Sequence, residues 1–132
     1  MNILFLLRLW PVYGGGETVT IRLANGMARM GWTVSVAYFK DSAKEAPSLI
    51  DDKVRTYRID GVDCDEFHAD ASCGDCVQDA AVKLINKMGV DAVINQWWSV
   101  FYIDRLKRET KAKIITCLHK LFIRLCLAVR DG

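Results

Sequence analysis

Short apolar runs alternate with longer amphipathic stretches along the chain. The runs are typical of strands that are buried on both faces of a sheet. They predict strands at Ile3–Leu7, Thr33–Phe39, Val54–Ile59, Ala92–Asn95 and Lys113–Leu118. Charged and apolar residues alternate in the third run, which favours the edge of the sheet for that strand.

The stretch after the first strand shows helical periodicity. From Glu17 onward, apolar residues recur at i, i+4, i+8 and i+11. The residues of this predicted apolar helix face are Val19, Leu23, Met27 and Met30. Gly31 follows where a helix commonly ends in a left-handed glycine.

Three further helices are expected. One has Val77, Ala81, Leu84 and Met88 on its apolar face and ends at Gly89. The others extend from Ser99 to Thr110 and from Leu121 to Val129. Strands that alternate with helices predict a Rossmann-like, doubly wound parallel α/β sheet. Ligands bind at the carboxyl ends of the strands in such sheets, here after Leu7, Asn95 and Leu118.

Composition agrees with one globular domain. The chain has 132 residues, of which 52% are apolar and 26% are charged. The net charge of +2 gives no reason to expect a nucleic-acid partner. The longest stretch without a charged residue, Ala92–Ile103, has 12 residues, whereas a membrane span needs about 20. The five cysteines are an odd number, and we expect reduced thiols in a cytoplasmic protein.

Charge is unevenly distributed along the chain. Residues 41–79 hold eleven acidic and four basic residues, a balance of −7. Residues 100–132 hold eight basic and three acidic residues, a balance of +5. The basic stretch is either a solvated helix face or a surface that meets anionic lipid headgroups, at the inner membrane face, or a phosphorylated acceptor.

A glycine-rich loop lies between the first strand and the first helix. Free N–H groups at a helix start favour an anion, and glycine lets the backbone approach it. The segment Gly14-Gly15-Gly16-Glu17 fits neither G-x-G-x-x-G, because Val19 replaces the last glycine, nor the P-loop pattern. It is therefore either an anion site of another kind or a turn without a ligand.

Residues 1–39 resemble the opening of a GT-B glycosyltransferase of the glycosyltransferase 4 type. In that family an apolar strand leads to Gly-Gly-x-Glu, a Leu-Ala-containing helix and then Gly-His-x-Val. The matching residues are Gly14–Glu17, Leu23-Ala24 and Gly31–Val34, with Trp32 in place of the usual histidine. Two later segments, Val90–Gln96 and Ile114–His119, resemble the family's next strands.

The resemblance implies transfer of a hexose from a nucleotide-sugar donor to a glycan or lipid-linked acceptor, as in cell-envelope polysaccharide biosynthesis. It implies that Gly14, Gly15 and Gly16 approach the donor phosphates, and that His119 holds the donor sugar during catalysis. No cofactor and no metal is implied.

Three other residues have two interpretations each. Glu17 either contacts the acceptor or only complements the helix dipole. Trp97 either stacks on a sugar or is a buried aromatic. Gln96 either hydrogen-bonds an acceptor or caps the third helix.

One half of such an enzyme is not found in these residues. The family's nucleotide-binding domain supplies a Glu-x7-Glu pair, and no two glutamates here are eight apart. We therefore expect residues 1–132 to form a partial, acceptor-side N-terminal domain that is inactive alone. An exposed sheet edge would favour self-association.

Two alternatives to this function stay open. The chain could be a free-standing, non-catalytic Rossmann-like binding module. Four soft ligands, Cys64, His68, Cys73 and Cys76, could also hold a zinc ion. Cys117 and Cys126 lie in apolar runs, and we expect them in the core.

Overall fold

The computed structural model describes residues 1–10, 15–41, 50–59, 71–96 and 103–117. For residues 8, 9, 15–18, 40, 41, 71–77 and 103 it describes the backbone alone. The strands are β1 (Asn2–Trp10), β2 (Thr33–Asp41), β3 (Arg55–Arg58), β4 (Ala92–Asn95) and β5 (Lys113–Thr116). The helices are α1 (Gly15–Arg29), α2 (Ala71–Met88) and α3 (Ile103–Glu109). The helix predicted at Leu121–Val129 lies outside the described residues.

The five described strands form one parallel sheet in the order β3-β2-β1-β4-β5. The chain moves outward from β1 through β2 to β3 and then returns to β4 on the other side of β1. Because such crossovers are right-handed, α1 covers one face, and α2 and α3 cover the other. The predicted fold class, a Rossmann-like doubly wound α/β sheet, is confirmed.

The central strand β1 supplies both halves of the core. Ile3, Phe5 and Leu7 pack on the α1 side, and Leu4 and Leu6 pack on the α2 side. All five are buried, as expected for a strand covered on both faces. β1 and β2 each extend beyond their predicted ends because their pairing continues to Trp10 and Asp41.

The packing face of α1 differs from the prediction. The buried residues are Thr20, Ala24 and Ala28, which lie one turn apart along the helix. Of the predicted apolar face, Met27 is half-buried, whereas Val19, Leu23 and Met30 are exposed. The prediction was wrong because small residues let the helix approach the sheet closely, and periodicity alone does not distinguish the two stripes.

The end of α1 is a Schellman motif. Gly31 has φ of +89° and donates its N–H to the carbonyl oxygen of Ala28, and Trp32 donates to that of Met27. This pair of hydrogen bonds defines the motif, with glycine in the left-handed position. Trp32 is half-buried beside Met27 in the core on the α1 side, and so packs at the helix end.

α2 and α3 are joined by side-chain contacts. Arg105 of α3 forms ion pairs with Asp79 of α2 and with Glu109 of its own helix. The Asn86 side chain donates to the Glu109 carbonyl oxygen at 3.1 Å. These contacts fix α3 beside α2. Among the described residues, no helix is both long and apolar enough to cross a membrane.

Candidate functional site

The direction in which successive strands are added to the sheet reverses between β1 and β4. The connection after β1 leads towards β2, and the chain that follows β4 leads towards β5 on the opposite side. In doubly wound sheets a crevice opens between two connections that diverge in this way. The carboxyl ends of β1 and β4 therefore mark the candidate site.

The first side of the crevice is the start of α1. Gly15 and Gly16 are the first two residues of this helix, and Glu17 is the third. The first four N–H groups of a helix have no partner within it, and they attract negative charge together with the helix dipole. Gly14 lies outside the described residues, and the Glu17 side chain is not described. The helix start is thus positioned to receive an anion.

The second side of the crevice is the end of β4. Gln96 is half-buried and donates its backbone N–H to the carbonyl oxygen of Leu6 at 2.9 Å. Asn95, one residue earlier, is 2% exposed, and it stands beside Leu6 of β1 and Thr116 of β5 in the sheet. Trp97 lies outside the described residues. Two residues with carboxamide side chains, Asn95 and Gln96, therefore lie at the end of β4. This is the switch point, where the connections after β1 and β4 diverge.

The third part of the candidate site is the end of β5. Cys117 donates its N–H to the Asn95 carbonyl oxygen at 3.0 Å and packs against the core on the α1 side. Burial raises the pKa of its thiol, which keeps the sulfur protonated and a poor nucleophile. His119, two residues further on, lies outside the described residues.

Neighbouring strands in a sheet lie about 4.8 Å apart, so β1 and β5, which flank β4, run about 10 Å from one another. β1 continues to Trp10, beyond Leu6, the residue that is level with the ends of β4 and β5. Among the described residues, the topology places Gly15, Gly16, Gln96 and Cys117 towards the carboxyl edge of the sheet. The individual roles predicted for these residues stay predictions. Two of the four possible zinc ligands, Cys64 and His68, lie outside the described residues. The side chains of the other two, Cys73 and Cys76, are not described.

Sequence reasoning did not single out Asn95 as a site residue. The sequence does contain one indication of this residue, because Asn95 is a polar residue at the end of an otherwise apolar strand. A buried carboxamide must hydrogen-bond to offset its loss of water. Its position at the switch point makes Asn95 a candidate for holding the neighbouring connection in place.

The fold recurs in solved structures. A glycosyltransferase from Rickettsia africae ESF-5 shares 17% identity with a TM-score of 0.64, over 89% of this chain and 30% of that chain. Sucrose-phosphate synthase from Thermosynechococcus elongatus shares 17% identity with a TM-score of 0.67, over 92% and 34% of the two chains. No protein-family model and no curated protein matches the chain.

The class defined by these findings is the Rossmann-like α/β fold. This chain shares that fold with part of a glycosyltransferase and part of sucrose-phosphate synthase. It spans about a third of the length of either structure.

Proposed function

We propose that this chain is the acceptor-side portion of a glycosyltransferase that uses a nucleotide-sugar donor and a glycan or lipid-linked acceptor. The observation that carries the proposal is the glycine-rich start of α1 at the switch point between β1 and β4. The structural likeness to a glycosyltransferase, which by itself shows the fold, supports the choice of reaction class.

The chemistry needs a site for a leaving diphosphate. When the acceptor oxygen bonds to the anomeric carbon of the donor sugar, the bond from that carbon to the diphosphate breaks, and the acceptor hydroxyl gives its proton to solvent water. Negative charge then grows on the diphosphate. Backbone N–H groups at the start of α1 offset this charge, and glycine leaves room for a close approach at Gly15 and Gly16.

The remaining site residues have complementary roles in this proposal. His119 holds a hydroxyl of the donor sugar, and Gln96 hydrogen-bonds the acceptor. Trp97 stacks on an apolar sugar face. Glu17 contacts the acceptor from the first turn of α1. The proposal needs no metal ion.

The donor-binding half lies beyond these residues in this proposal. The chain spans 30% and 34% of the two structures it resembles, and its glutamates do not form a Glu-x7-Glu pair. We therefore expect the chain to be inactive alone. The exposed side chains of Lys107, Lys111 and Lys113 support peripheral contact of a cytoplasmic enzyme with anionic lipid.

The test starts from the natural gene. The reading frame downstream of the Gly132 codon is sequenced, and the full-length product is assayed for sugar transfer from labelled UDP-, GDP- and ADP-sugars. We expect a second α/β domain with a Glu-x7-Glu pair, transfer by the full-length protein, and no transfer by residues 1–132.

Two results would contradict the proposal. A stop codon directly after Gly132 would favour the alternative, a free-standing binding module without catalysis. Sugar transfer by the purified 132-residue chain would show that the donor half is not needed.

A further inference from the structure

A pocket opens at the amino edge of the sheet, opposite the edge that holds the candidate site. It is lined by residues from two segments, 85–90 and 109–112, which contain the ends of α2 and α3 and lead into β4 and β5. The cavity has a volume of about 340 Å³. Small-molecule sites commonly measure about 300–1,000 Å³, so this cavity is large enough for a small ligand. We call it the helix-end pocket.

Three aliphatic side chains give the helix-end pocket an apolar wall. Ile85, Val90 and Ala112 line it, are at most 9% exposed and belong to the core on the α2 side of the sheet. Gly89 lines it as well, and a Cβ atom at this position would meet no atom within 4 Å. The pocket is therefore open beside the apolar core, and an aliphatic group that displaces water from this wall gains affinity.

Hydrogen bonds hold the walls of the pocket in place. The Asn86 side chain of α2 donates to the Glu109 carbonyl oxygen of α3 at 3.1 Å, which joins the two helix ends. Gly89 has φ of +61° and donates its N–H to the Ile85 carbonyl oxygen at 3.0 Å, which ends α2 at the pocket. Because these walls are fixed by the fold, a ligand loses little affinity to ordering them.

The charges around the pocket favour an anion. The lining residues and their immediate neighbours in sequence include four cations and two carboxylates, a balance of +2. The cations are Lys87, Arg108, Lys111 and Lys113, and the carboxylates belong to Asp91 and Glu109.

Both of these carboxylates already have partners. Asp91 accepts the backbone N–H of Asn2 at 2.7 Å, and Glu109 forms an ion pair with Arg105. Arg105 also pairs with Asp79, but that carboxylate lies about two turns further along α2. Two turns correspond to about 10 Å, close to the Debye length in physiological salt, so Asp79 has little influence at the pocket.

Lys111 is the cation that remains for a ligand. Arg108 is paired with Asp104 at 3.0 Å, whereas Lys111 forms no ion pair with any described residue. Lys111 lines the pocket, and its side chain is exposed. The pocket therefore combines one ammonium group with an aliphatic wall. A ligand is complementary to both if it carries a carboxylate on an aliphatic body.

We propose that the helix-end pocket binds a small organic carboxylate with an aliphatic body. The carboxylate pairs with the Lys111 ammonium group, and the aliphatic body covers Ile85, Val90 and Ala112. This site is independent of the proposed function, because the pocket and the candidate site lie at opposite edges of the sheet.

Nuclear magnetic resonance of methyl groups in the 132-residue chain tests the site. Isocaproate is the probe, and isocaproamide and isohexylamine carry a matching aliphatic body with no charge or with a positive charge. Inorganic phosphate is an anion without an aliphatic body. The methyl signals of Ile85, Val90 and Ala112 report on the pocket. Those of Ile3 and Val36 report on the core on the other face of the sheet.

We expect isocaproate to shift the pocket signals saturably, with a dissociation constant on the order of 1 mM, and to leave the signals of Ile3 and Val36 unchanged. Lys111→Gln should weaken isocaproate binding about two- to five-fold at low salt, because it removes an exposed ion pair. Lys53→Gln removes the same charge from an exposed position beside β3 and should leave the dissociation constant unchanged. Isocaproamide should bind the parent and both variants equally.

Several results would overturn the proposal. Without a saturable shift at Ile85 and Val90, the pocket would hold only water. Tighter binding of isohexylamine than of isocaproate would assign the pocket to a cation. Equal affinity of the parent and Lys111→Gln for isocaproate would remove the role of the ammonium group. The same methyl shifts with inorganic phosphate would remove the role of the aliphatic wall.

Discussion

The backbone N–H of Gln96 donates a hydrogen bond to the carbonyl oxygen of Leu6 at 2.9 Å. This bond continues the pairing of β4 with β1 by one residue beyond the last strand residue, Asn95. Cys117 extends the pairing of β5 with β4 in the same way, through the Asn95 carbonyl oxygen. β1, β4 and β5 therefore stay in register up to Gln96 and Cys117, and β1 continues beyond this level to Trp10.

Gly31→Ala is expected to destabilise the protein, and Gly26→Ala to stabilise it. Gly31 has φ of +89°, which costs a residue with a Cβ atom about 1–2 kcal/mol. Gly26 lies inside α1 with open space around the site of a Cβ, so alanine gains about 0.5–1 kcal/mol there. Urea unfolding of both variants measures the effects. Equal shifts for the two would contradict the role of the left-handed position.

Ala24→Leu tests the packing face of α1. Ala24 is fully buried against the sheet, so a larger side chain overpacks the interface and costs about 1–3 kcal/mol. Arg22→Leu introduces the same residue two positions earlier on the exposed side, where we expect a change within about 0.5 kcal/mol. The free energy of unfolding is measured for both. A neutral Ala24→Leu would mean that the predicted stripe of Leu23 and Met30 packs after all.

This helix shows what the sequence could and could not predict. Its existence, its glycine end and its place between β1 and β2 follow from local pattern and capping chemistry. Its packing face does not, because Ala24 and Ala28 compete with larger residues on a neighbouring stripe. Close approach to β1 selects the small residues, and that selection depends on the distance between the helix and the sheet.

The candidate site also has features that the sequence predicts and features that it does not. The order of strands and helices predicts that Gly15, Gln96 and the end of β5 meet at one edge of the sheet, because parallel strands end together. The hydrogen bond from Gln96 to Leu6 and the burial of Asn95 depend on how two distant parts of the chain pair. No local pattern contains that information.

Asp79→Asn is expected to loosen α3. The carboxylates of Glu109 and Asp79 raise the pKa of Arg105 above its usual range, and Asp79 links α3 to α2. Its removal should speed amide hydrogen exchange over 103–109, with a smaller difference at about 1 M salt, where charges are screened beyond about 3 Å.

Asp104→Asn is the control for this effect. Asp104 pairs with Arg108 at 3.0 Å within α3 alone, so its removal should leave the docking of α3 on α2 unchanged. Equal acceleration of exchange in both variants would argue against the link from Arg105 to Asp79.

The thiol of Cys117 should make stability fall at alkaline pH. Burial raises its pKa in the folded chain, whereas an unfolded thiol ionises near about 8.5. Above that pH the unfolded chain binds fewer protons than the folded chain, so stability decreases with pH. The stability that the protonated Cys117 thiol gives the folded chain is fully present below pH about 8.5, and it is lost as the pH rises towards the pKa of the thiol in the folded chain.

Cys117→Ala should therefore lose less stability than the parent protein between pH values of about 7.5 and 9.5. Urea unfolding under reducing conditions at the two pH values measures this difference. If the two proteins lose the same amount, the burial of the thiol has no energetic consequence.

Gly15→Val, introduced into the product of the full-length gene, tests the anion site of the proposed function. A branched side chain at the first residue of α1 blocks the approach of a diphosphate to the helix N–H groups. Removing one such stabilising donor costs about 10²–10³ in kcat, so we expect a loss of at least about tenfold in kcat/KM for the nucleotide-sugar. Gly26→Ala, in the same helix but remote from its start, should keep the parent's kcat/KM. An unchanged kcat/KM in a folded Gly15→Val enzyme would show that the start of α1 does not contact the donor.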